Sequence, residues 1–171
     1  MSSFRRDGGP GRGFFPADHT AWVWSRNATA VVLGDILMLD YAQGDHITPG
    51  AAIGADDSVF ANAIVPAIDA NFPLIRRHCV VIDTGQSAGA VDTLVRVATK
   101  GVYDVRIDTT TALGTHVVEV QASNIGKVVT TTGGAVGAMI VGIPLEVVST
   151  TVETVCECWF DGEGGFGAPI T

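Results

Sequence analysis

Between residues 94 and 160 apolar and polar positions exchange places every second residue, with Gly and Thr separating the runs. Over residues 102–108, Tyr103, Val105 and Ile107 fall on one side and Asp104, Arg106 and Asp108 on the other, the period of two that a half-buried strand requires. A helix would spread those residues around its circumference. The last run repeats the pattern: Val152, Thr154, Cys156, Cys158 and Phe160 alternate with Glu153, Val155, Glu157 and Trp159, so one face is mostly apolar and the other carries the charges. The pattern predicts strands near 94–99, 102–108, 116–121, 127–132, 138–143 and 152–160, with turns over 109–115 and 149–151. Residues 138–143 are apolar on both faces, as in a strand covered on both sides.

Upstream, residues 29–33 and 36–40 read as two short strands around a tight turn at Gly34 and Asp35, or as one strand bulged at the glycine. Residues 78–83 form another strand, closed by a Gly-rich turn over 84–90. So many short strands predict an all-β fold: a single small β-barrel, β-tulip-like or sandwich domain with an extended N-terminal arm. The body is placed at 28–171, with a loop excursion over about 41–77 that contains Pro49, Pro66 and Pro73. Within it, Asp56, Asp57 or Ser58 is positioned to cap a short helix running through Ile64 and ended by Pro66.

The arm is placed at 1–27. It is rich in Gly, Arg and Pro, yet carries Phe4, Arg5, Arg6, Arg12, Phe14 and Phe15, with Trp22 and Trp24 just beyond. Rings and guanidinium groups dominate interface hot spots, so these eight residues are the candidate docking residues. The simpler alternative is an ordinary tail, with Trp22 and Trp24 belonging to a first strand. The sequon at Asn27 lacks a secretion signal to give it meaning.

Composition narrows the partners. A chain of 171 residues, 47% apolar and 16% charged, is too hydrophobic for general disorder and long enough to bury about 70% of its unfolded surface. The net charge of −8 is uneven: residues 1–30 hold Arg5, Arg6, Arg12 and Arg26 against Asp7 and Asp18, or +2, which leaves −10 for the rest. An acidic body excludes nucleic acid as the main partner. No apolar run reaches the roughly 20 residues of a membrane helix, so no membrane partner is expected. Three cysteines make no disulfide framework, and Cys156 and Cys158 point the same way from one strand; reduced thiols and synthesis in a cytosol are expected. The first 20 residues have no apolar core after their charges, and no secretory leader is predicted.

Candidate chemistry is sparse. Val80, Val81 and Ile82 run into Asp83-Thr84-Gly85, which resembles the active-site turn of aspartic proteases, where two carboxylates share a proton and activate water. One such turn per chain requires a dimer, as in retroviral proteases, with residues 139–142 as the later apolar-apolar-Gly element. Gln86 replaces the usual small residue, and a strand-end turn in which Asp83 accepts backbone hydrogen bonds explains the triplet more simply. His78, Cys79, Cys156 and Cys158 lack zinc spacing and read as core residues. His19, His46 and His116 stand beside no nucleophile, and no phosphate loop or nucleophile elbow occurs. The expectation is no enzyme, no catalytic residues, no metal and no cofactor.

The order of features over residues 95–105, then 116–120, 141–146 and 154–160 resembles the small capsid decoration, or cement, proteins of tailed bacteriophages. A Gly-Val segment entering a strand, a Val-Gly-Ile-Pro-Leu-Glu strand and an alternating last strand carry the resemblance. Gly34-Asp35 before an apolar run also looks similar; the resemblance covers about 90 residues and is one of pattern. It implies a homotrimer on the outside of a virion head, with arms over the major capsid protein. The 62–77 excursion and the aromatic arm have no counterpart in it. Two alternatives remain at this point: a dimeric aspartic protease acting through Asp83, and a phage tail or receptor-binding β module.

Overall fold

The computed structural model describes residues 19–25, 30–40, 61–64, 78–84, 93–131 and 139–162. These residues form β1 (Thr20–Ser25), β2 (Ile36–Asp40), β3 (Ala61–Ile64), β4 (His78–Asp83), β5 (Thr93–Ala98), β6 (Lys100–Ile107), β7 (His116–Gln121), β8 (Ser123–Thr130), β9 (Ile140–Pro144) and β10 (Thr154–Asp161). The fold is all-β. No helix among the described residues is long and apolar enough to cross a membrane.

The strands divide into two five-stranded sheets. In the first, the ladders run β1-β3-β2-β4-β5 and return from β5 to β1; in the second they run β10-β6-β8-β7-β9 and return from β9 to β10. Pairing is antiparallel except between β1 and β3 and between β6 and β8. Among the described residues each strand thus pairs with two others, β6 and β8 meeting at Ile107 and Gly126.

The alternation of side chains assigns each face to a core. On β2 and β4, Leu37, Leu39, Cys79 and Val81 fill the interior of the first sheet with Val23, Val31, Val95 and Val97. Ile36 and Val80, pointing the opposite way, join Ala98 in a second cluster with Val105, Ile107, Val118, Val120, Val128, Val141, Cys156, Cys158 and Phe160 of the second sheet. The first sheet's middle strands are therefore covered on both faces, which is why Ile36-Leu37-Met38-Leu39 and Cys79-Val80-Val81-Ile82 carry no polar alternation. In the second sheet β7, β8 and β9 bury a further cluster on the opposite face, Val117, Val129 and Ile140, whereas β10 alternates: Cys156, Cys158 and Phe160 are buried while Val155, Glu157 and Trp159 are exposed.

Two seams join the sheets. At the first, residues 32–35 form a turn in which the Asp35 N–H donates to the Val32 carbonyl (3.2 Å) and Gly34 takes φ 84°, a conformation that favours glycine. The Gly34 N–H donates to the Val81 carbonyl (2.9 Å) in the first sheet, and its carbonyl accepts from the Arg106 N–H (2.8 Å) in the second. At the second seam the Thr99 N–H donates to the His19 carbonyl (2.8 Å), the Thr99 carbonyl accepts from the Gly162 N–H (2.8 Å), and the Gly162 carbonyl accepts from the His78 N–H (2.9 Å). Four distant segments meet there.

Three expectations change. Residues 20–25, assigned above to an arm ending at 27, are strand β1, paired with β5 over six positions; Val23 is fully buried, and this burial overrides the Gly- and Pro-rich context before it. Residues 1–18 and 26–27 of the arm lie outside the described residues. The helix drawn through Ile64 is replaced at its end by β3, which pairs with both β1 and β2. Residues 30–32 take no strand conformation, so the Gly34-Asp35 turn leads into β2 alone.

Gly34→Ala is expected to destabilise the fold strongly. A methyl group there meets the Arg106 backbone nitrogen at 3.0 Å, on top of a left-handed backbone cost of about 1–2 kcal/mol. Gly114→Ala, at φ 74° in open space, bears only the backbone cost. Urea unfolding of the two variants should rank Gly34→Ala as the larger loss, and equal losses would contradict the tight seam.

Burial pushes the thiols of Cys79, Cys156 and Cys158 above their ordinary value of 9.0, and at Cys158 the neighbouring Cys156 adds to the effect. The unfolded chain ionises these groups above about pH 9 while the fold keeps them neutral. Their contribution is complete below that pH and is lost as pH rises toward the folded values. Thiol reagents at about pH 8 should label the native protein slowly and the urea-unfolded protein fully. The urea midpoint should fall between about pH 8 and pH 10, less steeply in Cys79→Ala.

Candidate functional site

The sequence-predicted residues do not gather in one place. Trp22 stands outward on β1, 37% exposed and opposite Arg96 of β5, while Trp24 is opposite Leu94. Both lie on strand β1 of the first sheet. Phe4, Arg5, Arg6, Arg12, Phe14 and Phe15 lie outside the described residues.

The protease-like elements are not brought together. Asp83 is exposed at the end of β4, beyond a bulge, in register with Arg96. Gly85 lies outside the described residues. Ile140, Val141 and Gly142 are on β9 in the other sheet, paired with β7 and β10. Nor do the soft ligands meet: Cys79 faces the interior of the first sheet, whereas Cys156 and Cys158 face the core shared by the two sheets. Among the described residues no three His, Cys, Asp or Glu side chains are grouped to hold a metal ion.

A different surface emerges on the outer face of the second sheet. Trp159 on β10 lies directly between Val102 of β6 and Ile143 of β9. Leu145 follows on the same side, its N–H donating to the Glu157 carbonyl (2.8 Å). These four side chains are exposed by 45% (Val102), 44% (Trp159), 37% (Ile143) and 42% (Leu145). An apolar row across three paired strands, with an indole at its centre, is unlike the scattered single apolar residues of an ordinary surface.

Charge frames this row. At one end the Lys100 Nζ meets the Asp161 carboxylate at 2.9 Å, next to Val102 and Trp159. One step along the other way, Asp104 and Glu157 face each other across β6 and β10, both exposed. Like charges directly opposite on a sheet oppose pairing, and neither carboxylate has a salt bridge among the described residues. The nearest cation in the ladder, Arg106, is already held by Asp35 and by Glu153 (2.8 Å). The Glu146 Oε1 accepts from the Glu157 N–H (2.8 Å), which brings a third exposed carboxylate to this border. The result is an apolar strip with an acidic edge.

No protein-family model matches the chain, and no curated protein is significantly similar to it.

The strip was legible in one respect. Trp159 and Val155 stand on the charged side of the alternating last strand, where a solvated face would carry small or polar residues. That Val102 and Ile143 complete the row depends on the pairing of three strands that are distant in sequence, and no local pattern encodes it.

Replacing Glu157 with Lys converts the repulsion across Asp104 into an attraction. Glu157→Lys should raise stability by about 0.2–1 kcal/mol, read from the urea midpoint, with the larger values at low salt. A loss of stability would mean that the two carboxylates are not the opposed pair described.

Proposed function

We propose that this chain is a structural virion protein that binds the outer surface of a tailed-phage capsid and stabilises the shell. In this reading it is a decoration, or cement, protein that works as a homotrimer in contact with the major capsid protein. The observation that carries the reading is the exposed row Val102, Trp159, Ile143 and Leu145 on a rigid sheet, a surface built for contact with protein. The segments that carry the family resemblance also support it, since they coincide with β5 and β6, β7, β9 and β10. Four of those five strands form the sheet that bears the row.

A shell is stabilised by any protein that binds its assembled, expanded form more tightly than its free subunits. Many copies, each with several weak contacts, make that preference large. The fold suits such a role, since each described strand is paired on both sides and the acidic body keeps free copies apart until they meet their surface. In the same reading Arg5, Arg6, Arg12, Phe4, Phe14 and Phe15 reach neighbouring subunits. Synthesis takes place in the host cytosol and the final location is the outside of the head.

The test uses purified expanded heads. Deletion must stop at residue 18, because Thr20–Ser25 is strand β1. Removing residues 2–18, or changing Trp159→Ser, should lower occupancy; loss of one central aromatic anchor costs about 2 kcal/mol, or roughly thirtyfold in affinity. Sedimentation of the free protein should give a trimer. Failure of the intact protein to bind heads, or turnover of a peptide that Asp83→Asn abolishes, would overturn the reading.

A further inference from the structure

Beside Gly34 the two sheets part, and a groove of about 160 Å³ opens between Leu33, Gly34, Val81, Ile82, Tyr103 and Asp104. Its floor is continuous with the shared core, against which Ile82 and Tyr103 pack. Its lip is apolar as well, since Val32 and Leu33 stand exposed on the turn before β2. Asp104 is the lining residue that carries charge at neutral pH, and Glu157 faces it across β6 and β10. We propose that this groove is a docking site for an arginine side chain of a protein partner. The aliphatic stem lies between Leu33, Val81, Ile82 and Tyr103, and the guanidinium meets Asp104 and Glu157.

Size selects a single side chain. Pockets for small ligands enclose roughly 300–1,000 Å³, whereas a cavity of about 150 Å³ holds a body the size of benzene. A long side chain that lays its stem on apolar walls and keeps its head in water fits the smaller space. Charge selects a cation. Asp104 and Glu157 are directly opposite, where like charges repel, and neither has a salt bridge among the described residues. The nearest cation on β6, Arg106, is held by Asp35 and by Glu153 (2.8 Å), and Asp83 beyond Ile82 is in register with Arg96. An anionic occupant would add to the repulsion, and a neutral one would leave it standing. Geometry selects arginine over lysine, because a planar guanidinium with its fork of donors can bond two carboxylates at once, while an ammonium acts as a point charge.

The groove is held open by the seam beneath it. The Gly34 N–H donates to the Val81 carbonyl (2.9 Å) and the Gly34 carbonyl accepts from the Arg106 N–H (2.8 Å), so the lip and both walls belong to one hydrogen-bonded frame. A site fixed in this way loses little freedom when it is filled. The groove shares its Asp104–Glu157 border with the Trp159 row, so one partner surface can engage both. The inference does not depend on the capsid reading, because its test contains no capsid.

The experiment titrates the full-length protein with the peptide acetyl-Gly-Arg-Gly-amide and follows the methyl signals of Leu33, Val81 and Ile82 by NMR. These signals should shift together and saturate. The same peptide with citrulline, the neutral counterpart of arginine, should bind about tenfold more weakly, and the peptide with lysine about threefold more weakly. Asp104→Asn and Glu157→Gln should each weaken the arginine peptide about threefold to tenfold, and the double variant should lose the preference over citrulline. Both residues are exposed and each change removes one of two repelling charges, so the urea midpoint should hold or rise. Leu33→Ser, on the exposed lip, should weaken all three peptides alike. Absence of a saturable shift at the three methyl groups overturns the proposal, as does undiminished binding of the arginine peptide to the double variant. Citrulline or lysine binding as tightly as arginine also overturns it, because the occupant is then chosen for its stem or its charge alone.

Discussion

Asp35 has no exposed surface, and a carboxylate so placed persists only if its charge is met. One oxygen accepts from the Arg106 guanidinium on β6. The other accepts from the Val32 N–H (2.9 Å) and from the Asn124 side-chain amide (2.7 Å) on β8. Its backbone carbonyl takes the Val81 N–H of β4 (2.9 Å). A single residue between the two sheets thus holds the turn before β2, the strand β4 and two strands of the second sheet in fixed relation. Removing one member of such a pair leaves an uncompensated charge, at a cost of about 3–5 kcal/mol. The cost here lies toward the lower end, because Arg106 is partly exposed and keeps Glu153.

This constraint decides which surfaces remain free. With the turn clamped to β6 and β8, the outward faces of β2 and β4 are pressed onto the second sheet's core, and Ile36 and Val80 become part of it. The first sheet then has no large unused face along its middle strands. The second sheet buries Val117, Val129 and Ile140 on its other face along β7, β8 and β9, and keeps the exposed Trp159 row where β6, β9 and β10 pair. A shallow groove lined by Leu33, Gly34, Val81, Ile82, Tyr103 and Asp104 marks where the two sheets part beside the clamp. Core packing and surface chemistry are in this sense one arrangement: the residues that lock the sheets together also determine which face is left for contact.

The sequence announced the strands better than their partners. β4 was readable at its true bounds, and the alternation of β6 and β10 foretold which side chains are buried, because a half-solvated strand writes its period directly into the chain. β1 was hidden by its neighbours: Trp22 and Trp24 follow a Gly- and Arg-rich stretch and carry the rings expected of an anchor, while the residue that commits the segment to the core is the unremarkable Val23. β3 has four residues inside a Pro-containing excursion, and it is a strand because β1 and β2 flank it. Asp35 read as a turn residue, and its larger role needs Arg106 and Asn124, which are 71 and 89 residues away. What stayed illegible was always a relation between distant segments.

The opposed carboxylates on the outer face fit this logic. In a free protein, Asp104 against Glu157 is a small standing cost, and a Lys at either position would remove it. The repulsion has a consequence for approach from solvent: another acidic body nearing Trp159 meets the like charges of Asp104 and Glu157 at the edge of the row. Specificity obtained by leaving a surface uncomfortable toward the wrong partner is the same device that closed ladders apply to strand edges. On the described surface both features oppose indiscriminate association.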